Sequence, residues 1–157
     1  MALVTHYFLP CLYAFIACLG FSLLFNIHGK GIVICSLGGA LGWLVYLLAE
    51  PVFHNDIAQA LVAALALSAF SEGMARLRKC PVTAYVLVSA FPLVPGAGIY
   101  YTMEHAVNGE MDLFLSTGMH TLGLAGALAL GILMMASAVR MWNSYHRRRR
   151  LRKGESA

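Results

Sequence analysis

Apolar residues run along this chain in five long stretches, at roughly residues 7–27, 31–50, 57–75, 82–103 and 116–142. A helix crossing a hydrocarbon core about 30 Å thick needs about 20 residues, and each stretch is long enough. The breaks between them are short: "HGKG" at 28–31, "PVFHND" at 51–56, "RLRKCP" at 76–81 and "EHAVNGEMDLFL" at 104–115. The last break also reads as a short amphipathic helix lying at the membrane surface. The pattern predicts an all-α integral membrane protein of five transmembrane helices, forming a single transmembrane domain over residues 1–157 with a basic tail at 143–157.

The fourth stretch is interrupted. "FPLVPGAGIYYTM", residues 91–103, sets Pro92, Pro95, Gly96 and Gly98 inside a span whose flanks are fully apolar. Entering at Val82 and rising 1.5 Å per residue, the span reaches Pro92 after about 15 Å, near the middle of a bilayer. Pro92 has no N–H for the carbonyl of Val88, and Pro95 has none for that of Phe91. A second half-helix restarts with Pro95 at its first position, aiming the N–H groups of Gly96, Ala97, Gly98 and Ile99 toward the midplane. Such an end suits a substrate carboxylate. The alternative is a proline kink that only shapes packing, its freed carbonyls met by neighbouring hydroxyls.

Composition sharpens this picture. Of 157 residues, 60% are hydrophobic and 11% charged, against about 25% charged in soluble domains, so lipid or other protein must be the solvent for most of the chain. All eleven Lys and Arg residues fall in alternate loops: Lys30; Arg76, Arg78 and Lys79; and Arg140, Arg147, Arg148, Arg149, Arg150, Arg152 and Lys153. The intervening loops carry Glu50, Asp56, Glu104, Glu110 and Asp112 instead. The positive-inside rule then predicts N-terminus out and C-terminus in. The tail "HRRRRLRK" reads as a cytoplasmic anchor on anionic headgroups rather than a nucleic-acid patch. No basic residue precedes the first stretch, which reads as a true span rather than a signal peptide.

Chemistry-bearing motifs are sparse. Cys11, Cys18, Cys35 and Cys80 form no CxxC pair, and the histidines lack ligand spacing, so neither a disulfide framework, a metal site nor a cofactor is indicated. Ser68, Ser71 and Glu72 share a helix face by spacing. Glu72 reads either as a proton- or ion-coupling group or as the partner of Arg76 one turn on. Asn26 reads as an interhelical hydrogen-bonding group or a cap on its own helix. Tyr100 and Tyr101 fit an aromatic belt, with Tyr100 also a candidate for the pathway. Small residues at Gly38 and Gly42, and at Gly118, Gly123, Gly126 and Gly131, mark close helix packing.

Three segments, "GFSLLFNI" at 20–27, "SEGMARLRKCP" at 71–81 and "FPLVPGAGIYYTM" at 91–103, together resemble the C-terminal, small-subunit module of the threonine/serine exporter family. The matched positions are Phe25, Asn26, Glu72, Ala75, Arg76, Pro81, Pro92 to Gly98 and Tyr100. The resemblance implies a multi-pass protein of the bacterial inner (plasma) membrane that works with a larger exporter subunit. It also implies a small carboxylate-bearing substrate, either threonine or serine or, as in two-component relatives implicated in succinate export, a dicarboxylate. Proton coupling is a further implication of the family.

The leading expectation is therefore a transporter subunit with Pro92, Pro95, Gly96, Ala97, Gly98 and Tyr100 along the substrate pathway. No GxxxxGK[ST] loop is present, which favours an ion gradient as the energy source. The competing expectation is a scaffold subunit whose partner forms the whole pathway. An enzyme is disfavoured, because no nucleophile has a base at hand and no span carries paired aspartates.

Overall fold

The structure, a computed structural model, describes the backbone of residues 4–154 and the side chains of residues 5–145. Six α-helices follow one π-helical turn at Val4–Phe8: α1 (Leu9–Leu24), α2 (Lys30–Ala49), α3 (Asp56–Arg78), α4 (Val82–Ala90), α5 (Gly96–Asn108) and α6 (Met111–Gly154). A 3₁₀ turn at Phe91–Leu93 extends α4. The π-helical entry has a local cause: Pro10 lies in the first turn of α1 and has no N–H to give the carbonyl of His6.

Among the described residues four helices are long and apolar enough to cross a bilayer, and the pair Val82–Leu93 and Gly96–Asn108, bent by 55°, makes a fifth span if taken together. The pair contains 25 helical residues, about 37 Å measured along its two axes, enough for a hydrocarbon core with the break near its middle. Large apolar side chains face outward along every helix, among them Leu24, Leu48, Leu77, Val107 and Leu122. Exposure on that scale belongs to a lipid-facing surface rather than a wetted one.

α2 and α3 form the interior of the bundle, each with 39% of its most apolar window buried, against 17% for α1 and α6. α1 packs on α2, α2 on α3, and α3 on α6, while α4 lies across α2 and α3. α5 packs against α6 and has no buried residue. Two apolar clusters hold the whole: Cys18, Ile34, Cys35, Tyr85 and Val88 at one level, and Ala63, Leu67, Ala90, Leu93 and Leu128 at another.

Three helices end by the same device, a residue in the left-handed region with two reversed backbone bonds. At the end of α1, Asn26 has φ 56°, and the N–H groups of Asn26 and Ile27 donate to the carbonyls of Leu23 and Ser22. Lys79 (φ 53°) closes α3 and Gly109 (φ 75°) closes α5 likewise. The start of α3 is capped by Asn55, whose side chain accepts the N–H of Ile57 at 2.9 Å.

The expected break at 104–115 needs correction. α5 runs on to Asn108, and α6 starts at Met111 after a reversal of two residues. Polar residues there mark where the chain leaves an apolar layer, but neither "EHAVN" nor "MDLFL" holds a Gly or Pro to break a helix, so α5 continues to Asn108 and α6 starts at Met111. No separate amphipathic helix lies between them. α6 is correspondingly longer than the expected 116–142. The side chains of Arg147, Arg148, Arg149, Arg150, Arg152 and Lys153 lie outside the described residues, as does the anchoring role expected of them.

The segregation of charge along the sequence has a spatial counterpart. His6 meets Glu50 at 3.5 Å and His120 meets Asp56 at 3.7 Å, gathering the start of the chain, the α2–α3 loop and the start of α6 at one end of the bundle. Glu72, Val82 and Arg140 border a common cavity at the other.

Candidate functional site

The broken span is built from its acceptors outward. Pro92 deprives the Val88 carbonyl of its helical donor, and the structure supplies two others: the N–H of Phe91, and the thiol of Cys18 from α1 at 3.3 Å. The Phe91 carbonyl, freed by Pro95, accepts from the N–H of Val94 at 3.2 Å. One turn back, the hydroxyl of Ser89 donates to the Cys35 carbonyl of α2 at 3.0 Å. Both carbonyls expected to be orphaned are therefore satisfied within the chain. A thiol does for Val88 what a hydroxyl was expected to do.

Packing fixes this inner side. Phe91 stacks on Phe21 of α1, with centroids 4.1 Å apart and planes 7° from parallel, and tilts against Phe25 at 5.7 Å. Leu93 is buried among residues of α3 and α6. α2 approaches closely because it offers glycine: a Cβ on Gly39 would overlap the Cys18 sulfur and sit 3.5 Å from Pro92 Cγ, and one on Gly38 would overlap the Ser89 hydroxyl. The expected pair Gly38 and Gly42 thus works inside this chain, with Gly42 against Leu67 and Leu93.

The outer side is open. Val94 is extended (ψ 127°), as the residue before a proline prefers. The Gly96 N–H turns back to the Val94 carbonyl at 2.7 Å, and that of Ile99 reaches the Pro95 carbonyl at 3.1 Å. Among the described residues, the N–H groups of Ala97 and Gly98 have no acceptor. Gly96 and Ala97 are exposed, and a Cβ on Gly96 would meet nothing within 4 Å. The break therefore closes its acceptors and leaves donors free, the polarity that an anion requires.

The candidate pathway residues divide over two faces of α5. Gly96 and Tyr100, four apart, share the open face, where Tyr100 is 65% exposed and meets Tyr101 edge-on. Gly98 faces α6, where an added Cβ would lie 2.5 Å from the Thr121 hydroxyl oxygen. Its carbonyl accepts from Thr102 at 2.7 Å. Pro92 is half-buried near α2, and Pro95 caps α5 without a side-chain bond.

Glu72 lies on α3, on the face of Ser68, and its carboxylate meets the Arg76 guanidinium at 3.9 Å. Asn26 is exposed, and its backbone N–H, in the left-handed region, closes α1 on the Leu23 carbonyl. Sequence reasoning missed Cys18, Ser89 and the Phe21–Phe91 stack, which meet the break from other helices. The one available signal was the orphaned Val88 carbonyl, which demands a donor without saying which helix provides it.

By length and apolarity the described helices are those of a polytopic membrane protein, with one span broken at a Pro/Gly motif if the bent pair is taken as one. Residues 10–138 match the family model described as threonine/serine exporter, ThrE, and the chain belongs to that family. No curated protein and no solved structure matched the chain. Family membership makes it a multi-pass membrane protein of the exporter type rather than an enzyme.

Proposed function

We propose that this chain is the small subunit of an exporter for small carboxylate-bearing metabolites, threonine and serine or a dicarboxylate such as succinate, working with a larger subunit of the same family in the bacterial inner membrane. The observation that carries the reading is the polarity of the break, with Val88 and Phe91 carbonyls satisfied and Ala97 and Gly98 N–H groups free. Free donors near the middle of a membrane cost several kcal/mol each unless protein or water meets them. Among the described residues α5 packs chiefly on α6. A larger partner seated against the open face of α5 would enclose those donors in a pathway and complete the site.

In this reading the basic end of the bundle faces the cytoplasm, as the distribution of Lys and Arg favours. Substrate then passes from that end toward the break, and Gly96, Ala97 and Tyr100 line its way. Co-expression and co-purification with a larger membrane protein of the same family, followed by efflux from cells loaded with threonine, serine or succinate, tests the proposal. Efflux of at least one substrate that requires both subunits is expected. Equal efflux without this chain would overturn it.

A scaffold role is favoured by one observation, the absence of any buried residue on α5, which suits a helix presented to a partner. Gly96→Leu separates the two readings. Lost efflux from a normally assembled complex supports the pathway, whereas unchanged efflux supports the scaffold.

A further inference from the structure

The first half of the broken span, α4, stands between two grooves. On one side Phe25, Ile27, Thr83 and Leu87 line a space of about 190 Å³ toward α1. On the other, Thr83, Leu87, Ile132, Ala136 and Arg140 line part of a space of about 400 Å³ toward α6. Thr83 and Leu87 border both spaces, so they form a ridge with a groove on each flank. Thr83 is exposed, Leu87 is 50% exposed, and the groove walls are largely apolar. The grooves extend as far as Val88 and Ala90. From Val82 to Ala90 the helix rises about 13 Å, close to half of a hydrocarbon core about 30 Å thick.

Cations ring the start of that ridge. Lys79 lies two residues before Pro81, which opens α4 without a side-chain cap. Lys30 stands at the mouth of the groove toward α1, because its neighbour Gly31 packs there: a Cβ on Gly31 would lie 2.9 Å from Ile27 Cγ2 and 3.7 Å from the Tyr85 hydroxyl oxygen. Arg140 belongs to the groove toward α6. All three cations are exposed, and none pairs with a carboxylate among the described residues. The acid in the groove toward α6, Glu72, meets Arg76 at 3.9 Å. An apolar, lipid-facing surface that ends in unpaired cations complements an amphiphile with an anionic head.

We propose that α4 is the seat of an anionic phospholipid from the leaflet at the basic end of the bundle. One acyl chain lies in each groove, astride Thr83 and Leu87, and the phosphate sits among Lys30, Lys79 and Arg140. A single ridge flanked by two grooves matches a lipid with two chains. Its depth matches too, since α5 turns away by 55° at the break and the grooves end where one leaflet does. The bound lipid joins α1, α4 and α6 over the half of the span that α5 does not reach. The proposal requires a chain that spans a membrane and stands whether or not that chain exports.

The test reads tryptophan quenching by lipids brominated on their acyl chains, with the full chain in vesicles. Trp43 and Trp142 are replaced by Phe, and a single probe is placed by Leu87→Trp on the ridge or by Met134→Trp on α6, an exposed position outside both grooves. Phosphatidylglycerol is expected to outcompete phosphatidylcholine roughly fivefold or more at the ridge, and not at the α6 probe. Lys30→Gln, Lys79→Gln and Arg140→Gln together should abolish the preference, Arg140→Lys should keep it, and Gln in place of Arg147 to Arg150 should leave it intact. Native mass spectrometry with both natural tryptophans gives a second reading, in which the triple variant retains one phosphatidylglycerol fewer. Equal quenching by the two lipids at the ridge would overturn the proposal, as would a preference that survives the triple variant. The same preference at the α6 probe would mean diffuse attraction to the basic tail, and loss of the preference to added inorganic phosphate would mean a site for the anion alone; either result sinks it. Shielding of the ridge from both lipids when a larger protein of the same family is co-expressed would give the grooves to that protein instead.

Discussion

The thiol of Cys18 and the bare Cα of Gly39 occupy one contact, and a double-mutant cycle measures it. In Gly39→Ala the new methyl overlaps the Cys18 sulfur, while its next neighbours, Cys18 Cβ and Pro92 Cγ, both lie at an ordinary 3.5 Å. Overpacking of this kind costs about 1–3 kcal/mol, against which the better helix propensity of alanine returns up to about 1 kcal/mol. Cys18→Ala removes the donor to the Val88 carbonyl, which keeps the Phe91 N–H, so about 1 kcal/mol is expected to be lost. With the sulfur gone, only the 3.5 Å contacts remain, and Gly39→Ala should become neutral or mildly stabilising. The coupling between the two changes is therefore about 1–3 kcal/mol, favouring the double mutant over the sum of its parts. Denaturant-induced unfolding in mixed micelles, followed by tryptophan fluorescence, gives all four corners of the cycle. Effects that add to within about 0.5 kcal/mol would refute the reasoning. They would mean that α1 does not meet α2 through this thiol.

Other contacts make equally pointed predictions. Gly131→Ala sets a methyl 2.6 Å from Ala64 Cβ and 3.0 Å from the Leu61 carbonyl oxygen, and backbone cannot step aside, so unfolding in micelles should shift by about 1–3 kcal/mol toward the unfolded state. Gly126→Ala, one and a half turns away with nothing within 4 Å, should instead stabilise by up to about 1 kcal/mol. Gly98→Leu should cost assembly of α5 on α6, seen as a lower melting temperature, because Thr121 occupies the space; Gly96→Leu should leave the melting temperature unchanged while abolishing efflux. Lys79→Gly, relieving a left-handed residue at the end of α3, should stabilise by about 1 kcal/mol in the same unfolding assay.

Much of the fold was legible because lipid imposes a simple rule on sequence. Length and apolarity marked the spans, and α2 and α3 begin and end within a few residues of where hydropathy placed them. Pro92 and Pro95 marked the break for a covalent reason, the missing N–H, and this holds whatever the surroundings. The end of α5 was misplaced because hydropathy reports a change of solvent, whereas a helix ends where backbone bonding reverses, here at Gly109. That residue was visible in the sequence, but its φ of 75° was not.

The site was less legible, since a glycine's meaning depends on what stands opposite it. Gly96 and Gly98 look alike in "PGAGIYY", yet one faces open space and the other the Thr121 hydroxyl. The two residues therefore answer different questions: Gly98 reports how α5 is held, and Gly96 what passes along it. Backbone donors at Ala97 and Gly98 carry a partial positive charge and discriminate only by sign. The break can therefore hold an anion without telling a monocarboxylate from a dicarboxylate, a choice left to groups that meet the substrate elsewhere. Substitutions at Gly96 act on efflux with the fold intact, whereas substitutions at Gly98 act first on the packing of α5 against α6.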